Sequence, residues 1–227
     1  MTEFTTWRSL VDGEEIGAIP DRDLLHAHYD ARELGLNDND SVTTWDDLEG
    51  DNDLTEGDAP TFKTDVINGN PVVRHDGSGN YLETAFASEI SQPNHVYAVA
   101  VWRDAVDAGG HFWDGDSQDE ANFRQGGGNE DWRISAPDTV AGGSTDNDDH
   151  IFGIIYDGPD SAIREDGSVV ASGDAGSNGY NGFKTGVRGG ISDFGQVDFG
   201  EILIYNGEPT PADVEQYLSD EWGISLS

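Results

Sequence analysis

The sequence is divided along most of its length into short apolar runs, each closed by glycine, asparagine or aspartate. Such runs are typical of β-strands, and the 30 glycines and 8 prolines among 227 residues favour turns over long helices. Many evenly spaced strands predict an all-β fold, a sandwich of two antiparallel sheets. The candidate strands are residues 42–45, 72–75, 81–86, 96–102, 111–114, 121–124, 131–135, 150–157, 161–165, 168–171, 184–190 and 197–205.

Three of these segments carry more specific signals. His95–Trp102 and Ile151–Tyr156 are almost continuously apolar, which predicts central strands buried on both faces. The pair Asp166-Gly167 is a strong two-residue turn signal, so Ser161–Ala171 is predicted to form a hairpin.

One helix is predicted, at the C-terminus. Thr210 is placed to cap it, Pro211 suits its first position, and Asp213 completes a turn similar to a capping box. Gly223 is placed to end it. The apolar residues between follow helical spacing, so this is expected to be a short amphipathic helix that closes the domain.

Three ordered blocks carry a family resemblance. They contain Tyr29-Asp30-Ala31-Arg32 with Trp45-Asp46-Asp47, then Asn68-Gly69-Asn70 with Tyr81-Leu82-Glu83, then Gly200-Glu201-Ile202 with Trp222-Gly223-Ile224. Their order and spacing resemble the laminin-G-like, concanavalin A-like lectin/glucanase superfamily over residues 24–225. The resemblance implies a jelly-roll sandwich of two antiparallel sheets. It also implies binding of carbohydrate or protein at cell or virion surfaces, often with a calcium ion.

The charge balance excludes several partners. The chain has 46 acidic against 11 basic residues, a formal net charge of −35. Such a surface repels phosphate backbones and anionic lipid headgroups, so neither nucleic-acid binding nor peripheral membrane binding is expected. No window approaches the run of about 20 apolar residues that a transmembrane helix needs, so membrane insertion is not expected either. Only Lys63 and Lys184 are lysines. Acid-rich, lysine-poor surfaces resemble those of salt-adapted proteins from halophilic archaea, because concentrated salt screens the self-repulsion.

Residues 1–22 lie outside the resemblance and are treated as a separate segment from the jelly roll at 23–227. Their apolar side chains fit neither helical nor strand spacing. One interpretation is a docking arm that neighbouring identical subunits or other virion proteins bury; the other is an extra strand laid over the sandwich. The residues expected to make the assembly contacts are Phe4, Trp7, Leu10 and Ile16.

An enzyme is not expected. Glucanases of the superfamily carry Glu-x-Asp-x-x-Glu on one strand, and here Gln196 stands where the first Glu would be, before Asp198 and Glu201. A neutral amide cannot form the glycosyl-enzyme intermediate, so the pattern lacks its nucleophile. No other catalytic signature is present in the sequence.

Two binding sites are suggested by residue type. Four aromatic residues lie among Gly, Asp and Asn and are candidate platforms for sugar rings, although an aromatic-rich core is the alternative. They are Trp113, Trp132, Tyr180 and Phe183. Asp114 and Asp116, separated by a glycine, are candidate ligands of one calcium ion, with solvated acidic loops as the alternative.

These features predict a non-enzymatic surface adhesion module that contacts host surface glycans. The favoured setting is the virion of a halophilic archaeal virus, as a turret, spike or tail-fibre head. The alternatives are a purely structural decoration domain of a particle and a secreted carbohydrate-binding module of a haloarchaeon. The segment Met1-Thr2-Glu3-Phe4 shows no signal peptide, so the protein either works inside the cell or reaches the outside by another route, such as on a virion. Of these, a virion surface or another extracellular location is the expectation.

Overall fold

The computed structural model describes residues 18–227 and consists of two antiparallel β-sheets with eight strands each and one α-helix. This arrangement confirms the predicted all-β sandwich with a short C-terminal helix. In chain order the strands are β1 (Leu25–Asp30), β2 (Thr44–Trp45), β3 (Leu54–Asp58), β4 (Thr61–Ile67), β5 (Asn70–Arg74), β6 (Tyr81–Ile90), β7 (Asn94–Trp102), β8 (Gly110–Asp114), β9 (Asn122–Gln125), β10 (Trp132–Ser135), β11 (Thr139–Gly142), β12 (Asp149–Tyr156), β13 (Ser161–Glu165), β14 (Ser168–Gly173), β15 (Tyr180–Thr185) and β16 (Val197–Tyr205).

In both sheets the order of the strands differs from their order along the chain. Sheet A runs β14-β13-β12-β7-β16-β5-β4, with β1 also paired to β16, and sheet B runs β11-β10-β9-β8-β15-β6-β3-β2. The apolar strands β7 and β12 lie inside sheet A as predicted, since the other sheet covers one face and the helix side covers the other. The predicted hairpin is formed by β13 and β14, with Asp166 and Gly167 at positive φ in the turn.

Strand β16 is divided by a bulge at Gly200. The pairing register shifts between Phe199 and Glu201, with β5 paired before the shift and β1 after it. Phe199 and Ile202 belong to the core between the sheets, whereas Leu203 belongs to the cluster on the helix side. The bulge therefore directs Glu201 toward the helix, and the extra residue lets one strand serve two layers.

The helix α1 (Pro211–Trp222) packs on the outer face of sheet A, where Val214, Leu218 and Trp222 are buried. It ends as predicted, with Gly223 in the left-handed region at φ 70° and its N–H donated to the Ser219 carbonyl. The start differs from the prediction, because the Thr210 hydroxyl makes no capping hydrogen bond.

The chain just before β1 is attached to this helix side. Asp21 accepts a hydrogen bond from the Thr210 N–H at 2.7 Å, and the Tyr205 hydroxyl donates to the Pro20 carbonyl at 3.0 Å. Ile19 packs against the same cluster. The C-terminal end of the predicted arm thus packs on the sandwich. Phe4, Trp7, Leu10 and Ile16 lie outside the described residues, so their role in assembly stays a prediction.

One predicted strand differs in sheet B. The predicted strand at 184–190 is wrong beyond Thr185, because β15 ends there and residues 186–196 form a loop. Gly186 lies at φ 74°, and a Cβ on Gly189 would lie 2.3 Å from the Ser117 carbonyl oxygen, so this glycine-rich segment leaves the sheet.

None of the helices within residues 18–227 is long and apolar enough to cross a membrane.

Candidate functional site

Three basic side chains form a row across neighbouring strands of sheet B. Arg124 on β9 lies opposite His111 on β8 and opposite Arg133 on β10. Phe123 and Ile134, the chain neighbours of the two arginines, belong to the core between the sheets. Since successive side chains of a strand point to opposite faces, the arginines lie on the outer face of sheet B.

Beside this row is a polar cleft of about 350 Å³. Its walls come from the loop before β8, the loop after β9 and the 186–196 loop. It is lined by Ala108, Gly109, Gly110, His111, Asp119, Arg124, Gln125, Gly127, Arg188 and Asp193.

Gln125 fixes the two loops on one side of the cleft. Its side-chain oxygen accepts the Gly109 N–H at 2.7 Å, and its amide nitrogen donates to the carbonyls of Val106 and Asn129. The loops approach so closely that a Cβ on Gly109 would lie 3.0 Å from the Gly127 Cα. A buried glutamine with these bonds holds both loops in place around the opening.

The opposite wall is held by Arg188. Its guanidinium donates to Asp119 Oδ1 at 3.0 Å and to Asp193 Oδ2 at 3.1 Å. Arg133 is likewise paired, with Asp131 at 2.9 Å. Both arginines therefore have carboxylate partners, and Arg188 forms part of the cleft wall.

Arg124 is different, because it forms no ion pair or side-chain hydrogen bond with any residue of the 18–227 range. Every other lysine and arginine in that range has a carboxylate partner. Burial lowers the pKa of Arg124, and the neighbouring Arg133 lowers it further. A guanidinium nevertheless keeps its proton at neutral pH. Arg124 thus presents an unpaired positive charge to the cleft.

His111 lies opposite Arg124 and also lines the cleft. It is only 4 % exposed, and its Nδ1 lies 3.2 Å from the Asp193 carbonyl. A carbonyl only accepts, so Nδ1 carries the proton and Nε2 is an acceptor, which has no partner in the described part of the chain. Burial and Arg124 lower the His111 pKa to about 4, which keeps the ring neutral at pH 7. The cleft therefore offers the Arg124 guanidinium as a strong donor, whereas His111 Nε2 is a buried atom.

A metal ion is not what this arrangement favours. Single ligand atoms of His111, Asp114 and Asp119 lie within 4.8 Å of one another. However, Asp119 already binds Arg188, and the Asp114 oxygens accept backbone N–H groups from four residues, a set of donors that repels a cation. The four donors are Gly115, Asp119, Glu120 and Gly189.

The predicted calcium pair is separated by its partners. Asp116 accepts a hydrogen bond from Lys184 Nζ at 2.8 Å, while Asp114 faces the backbone donors. The geometry gives no support to Asp114 and Asp116 as ligands of one ion, so a calcium site stays a prediction.

The structure corrects the prediction that four aromatic residues form platforms for sugar rings. All have no exposed surface: Trp113, Trp132, Tyr180 and Phe183. The structure does bring three of them together, since Trp113 Nε1 donates to the Tyr180 hydroxyl at 2.9 Å and Phe183 stacks nearby, but in the core between the sheets. A side chain without exposed surface cannot stack on a sugar ring, so the alternative of an aromatic core is the one observed.

The carboxylates of the glucanase-like pattern are tied up in buried ion pairs. Asp198 binds Arg74 at 2.8 Å and Arg103 at 2.7 Å. Gln196 precedes β16, and its carbonyl accepts the Arg103 N–H. These contacts make Asp198 part of the packing of sheet A.

Glu201 lies under α1 in a closed network. Its oxygens are 2.8 Å from His28 Nε2 and accept from Arg32 at 3.1 Å, Tyr217 at 3.0 Å and Trp222 at 2.7 Å. Burial alone would raise the Glu201 pKa, but these donors outweigh it and lower the pKa. The residue connects sheet A to the helix.

The residues of the cleft were not among the sequence candidates. A usable signal exists, because β9 and β10 alternate core residues with arginine at Arg124 and Arg133. Two arginines on adjacent strands stand out in a chain with 11 basic residues. His111 and Arg188 could not be added without the structure, since they come from separate segments.

The fold is shared with two groups of solved structures. The Trypanosoma rangeli sialidase in complex with sialic acid is 13 % identical with a TM-score of 0.64, over 90 % of this chain and 34 % of that chain. A botulinum neurotoxin type C structure, concerned with cell entry dependent upon interaction with two ganglioside molecules, is 10 % identical (TM-score 0.63; 87 % and 51 %). The botulinum neurotoxin serotype D binding domain is 11 % identical (TM-score 0.62; 86 % and 51 %).

This chain thus spans about a third of the sialidase and about half of each toxin chain. At this level of identity the likeness establishes the fold, a jelly-roll-like β-sandwich. No protein-family model and no curated protein matches the sequence. The laminin-G-like resemblance and the archaeal or viral type therefore stay predictions.

Proposed function

We propose that this chain is a non-enzymatic carbohydrate-binding module and that the cleft beside Arg124 and His111 is its binding site. The observation that carries the proposal is the guanidinium of Arg124, which has no partner among residues 18–227 and lies at the wall of a polar cleft. A sugar hydroxyl accepts hydrogen bonds, so neighbouring hydroxyls of one ring can use several N–H donors of one guanidinium.

The size and walls of the cleft fit this ligand class. A volume of about 350 Å³ is at the small end of ligand pockets and suits one or two sugar rings. The fold likeness supports the proposal, because one of the similar toxin structures concerns ganglioside binding and gangliosides carry sugars. The proposal that the protein is not an enzyme is supported by Asp198 and Glu201, two buried carboxylates whose oxygens are bound by neighbouring side chains.

The proposed biological setting is surface adhesion in concentrated salt, with host surface glycans as targets. The net charge of −35 is its support. Placement on a virion of a halophilic archaeal virus, together with identical subunits, is a proposal from the sequence alone. The rival settings are a structural decoration domain and a secreted carbohydrate-binding module.

The test is a glycan array probed with the full chain in molar salt. Ala108 is exposed at the rim of the cleft, so Ala108→Trp should obstruct it while leaving the fold intact. The matched control is Ala87→Trp, an exposed position on β6 outside the cleft. Binding that is lost in Ala108→Trp and kept in Ala87→Trp supports the proposal. No binding by the wild type, or equal binding by both variants, refutes it.

A further inference from the structure

We infer that the cleft selects an acidic sugar, one with a carboxylate or sulfate group that pairs with Arg124. This inference rests on the proposed function and specifies its ligand. It concerns only the residues of the cleft and requires no change in the fold.

The first argument is the charge that the protein leaves unpaired. In a chain with 46 acidic residues, each other lysine and arginine of the described range has found a carboxylate, and half-buried Arg124 has not. The nearby carboxylates Asp119 and Asp131 attract Arg124 by charge but form their bonds with Arg188 and Arg133. Among residues 18–227, Arg124 therefore has no carboxylate partner, although acidic groups are abundant there.

The second argument is the electrostatic repulsion between Arg124 and the neighbouring arginines. Arg124 and Arg133 lie directly opposite each other on adjacent strands, and like charges in that position destabilise a sheet. Arg188 adds a further positive charge. A bound anion would relieve this repulsion. The planar guanidinium can also bind both oxygens of a carboxylate or sulfate at once.

The experiment compares matched sugars by calorimetry with the full chain in molar salt. The pairs are methyl glucuronide and methyl glucoside, methyl galacturonide and methyl galactoside, and a methyl sialoside and its methyl ester. The 6-sulfates of the two neutral glycosides separate sulfate from carboxylate. We expect the wild type to prefer at least one acidic member by roughly tenfold, the size of one charge-assisted hydrogen bond.

Three variants test whether Arg124 causes the preference for the acidic sugar. Arg124→Gln should remove the preference, Arg124→Lys should keep part of it, and Arg22→Gln should leave it unchanged. Arg22 is an exposed arginine paired with Glu49, so its substitution makes the same charge change elsewhere. Thermal melting confirms that each variant is folded, and because Arg124 has no partner to lose, its midpoint should not fall.

Each outcome decides the inference. Equal affinity of the wild type for acidic and neutral members overturns it and leaves the proposed function intact. A preference that survives in Arg124→Gln also overturns it. If no sugar of either kind binds, the proposed function fails together with the inference.

Discussion

His150 is held between two carboxylates at the end of β12. Its Nδ1 lies 2.7 Å from Asp166 and its Nε2 lies 2.8 Å from Asp146. Burial alone would lower the His150 pKa, but the two hydrogen bonds outweigh it and raise the pKa to about 9. The ring is therefore charged at neutral pH and connects the 146–149 loop to the β13–β14 turn.

These two contacts of His150 predict that the free energy of unfolding depends on pH. The folded pKa lies above the unfolded value of 6.5, so the stabilisation is complete below pH 6.5 and is lost as pH rises through about 9. Between pH 6 and 9.5 the wild-type free energy of unfolding should fall by about 2 kcal/mol more than that of His150→Gln. Chemical denaturation in molar salt measures both. Equal losses in the two proteins would show that His150 does not carry the effect.

Single residues also show where sequence reasoning reaches its limit. Trp132 lies between Asp131 and Arg133, which in sequence suggests an exposed aromatic. In the structure the alternation of β10 turns Trp132 into the core and Arg133 outward. Burial of one strand face is a tertiary property, so polar neighbours along the chain do not indicate exposure.

At the scale of elements, the contact between β16 and α1 depends on Gly200. A Cβ at this position would lie 2.5 Å from the Trp222 ring, which packs directly over the strand. Trp222 also donates to Glu201 at 2.7 Å, so the ring cannot move away without breaking the buried network. The bulge glycine and the tryptophan therefore form one unit.

Gly200→Ala should consequently destabilise the protein by about 1–3 kcal/mol, because the added methyl overpacks a buried contact. Gly79→Ala is the control, since its Cβ would be 3.6 Å from the nearest atom, Asp58 Oδ2, and its φ needs no glycine. Thermal or chemical unfolding compares the two variants. If Gly200→Ala is as stable as Gly79→Ala, Trp222 does not pack on the strand as described.

Elements with strong local signals were predictable and others were not. The proline and glycine at the ends of α1 and the Asp166-Gly167 turn fixed those elements from the sequence. Strands β3 and β4 were missed because they lie toward the edges of their sheets and carry exposed acidic residues, which mask strand alternation. The error at 184–190 arose because glycines that leave the sheet follow directly on β15.

At the scale of the whole molecule, the net charge makes stability depend on salt concentration. With a net charge of −35, carboxylates repel one another across the surface, and the Debye length falls from about 10 Å at 0.1 M to about 3 Å at 1 M salt. The melting midpoint should therefore fall markedly as salt is reduced from molar to tens of millimolar. Calorimetric melts across a salt series measure it. An unchanged midpoint would contradict the proposed adaptation to concentrated salt.

The N-terminal segment gives a second prediction at this scale. Burial of Phe4, Trp7, Leu10 and Ile16 between copies would contribute roughly 1.5–3 kcal/mol per side chain, enough to hold identical chains together. Deletion of residues 1–17 keeps the anchored stretch from Ile19 onward. We expect a folded protein of lower oligomeric mass by light scattering. A truncated protein that keeps the wild-type mass, or unfolds, would exclude the docking arm.

The central claim is that the cleft beside Arg124 and His111 binds sugar. The most direct measurement is backbone amide shift mapping of the ¹⁵N-labelled full chain during titration with methyl glucuronide in molar salt. The account predicts shifts confined to residues 108–111, 124–128 and 188–193, which surround the cleft. Shifts concentrated elsewhere on the sandwich, or no shifts at saturating sugar, would contradict it.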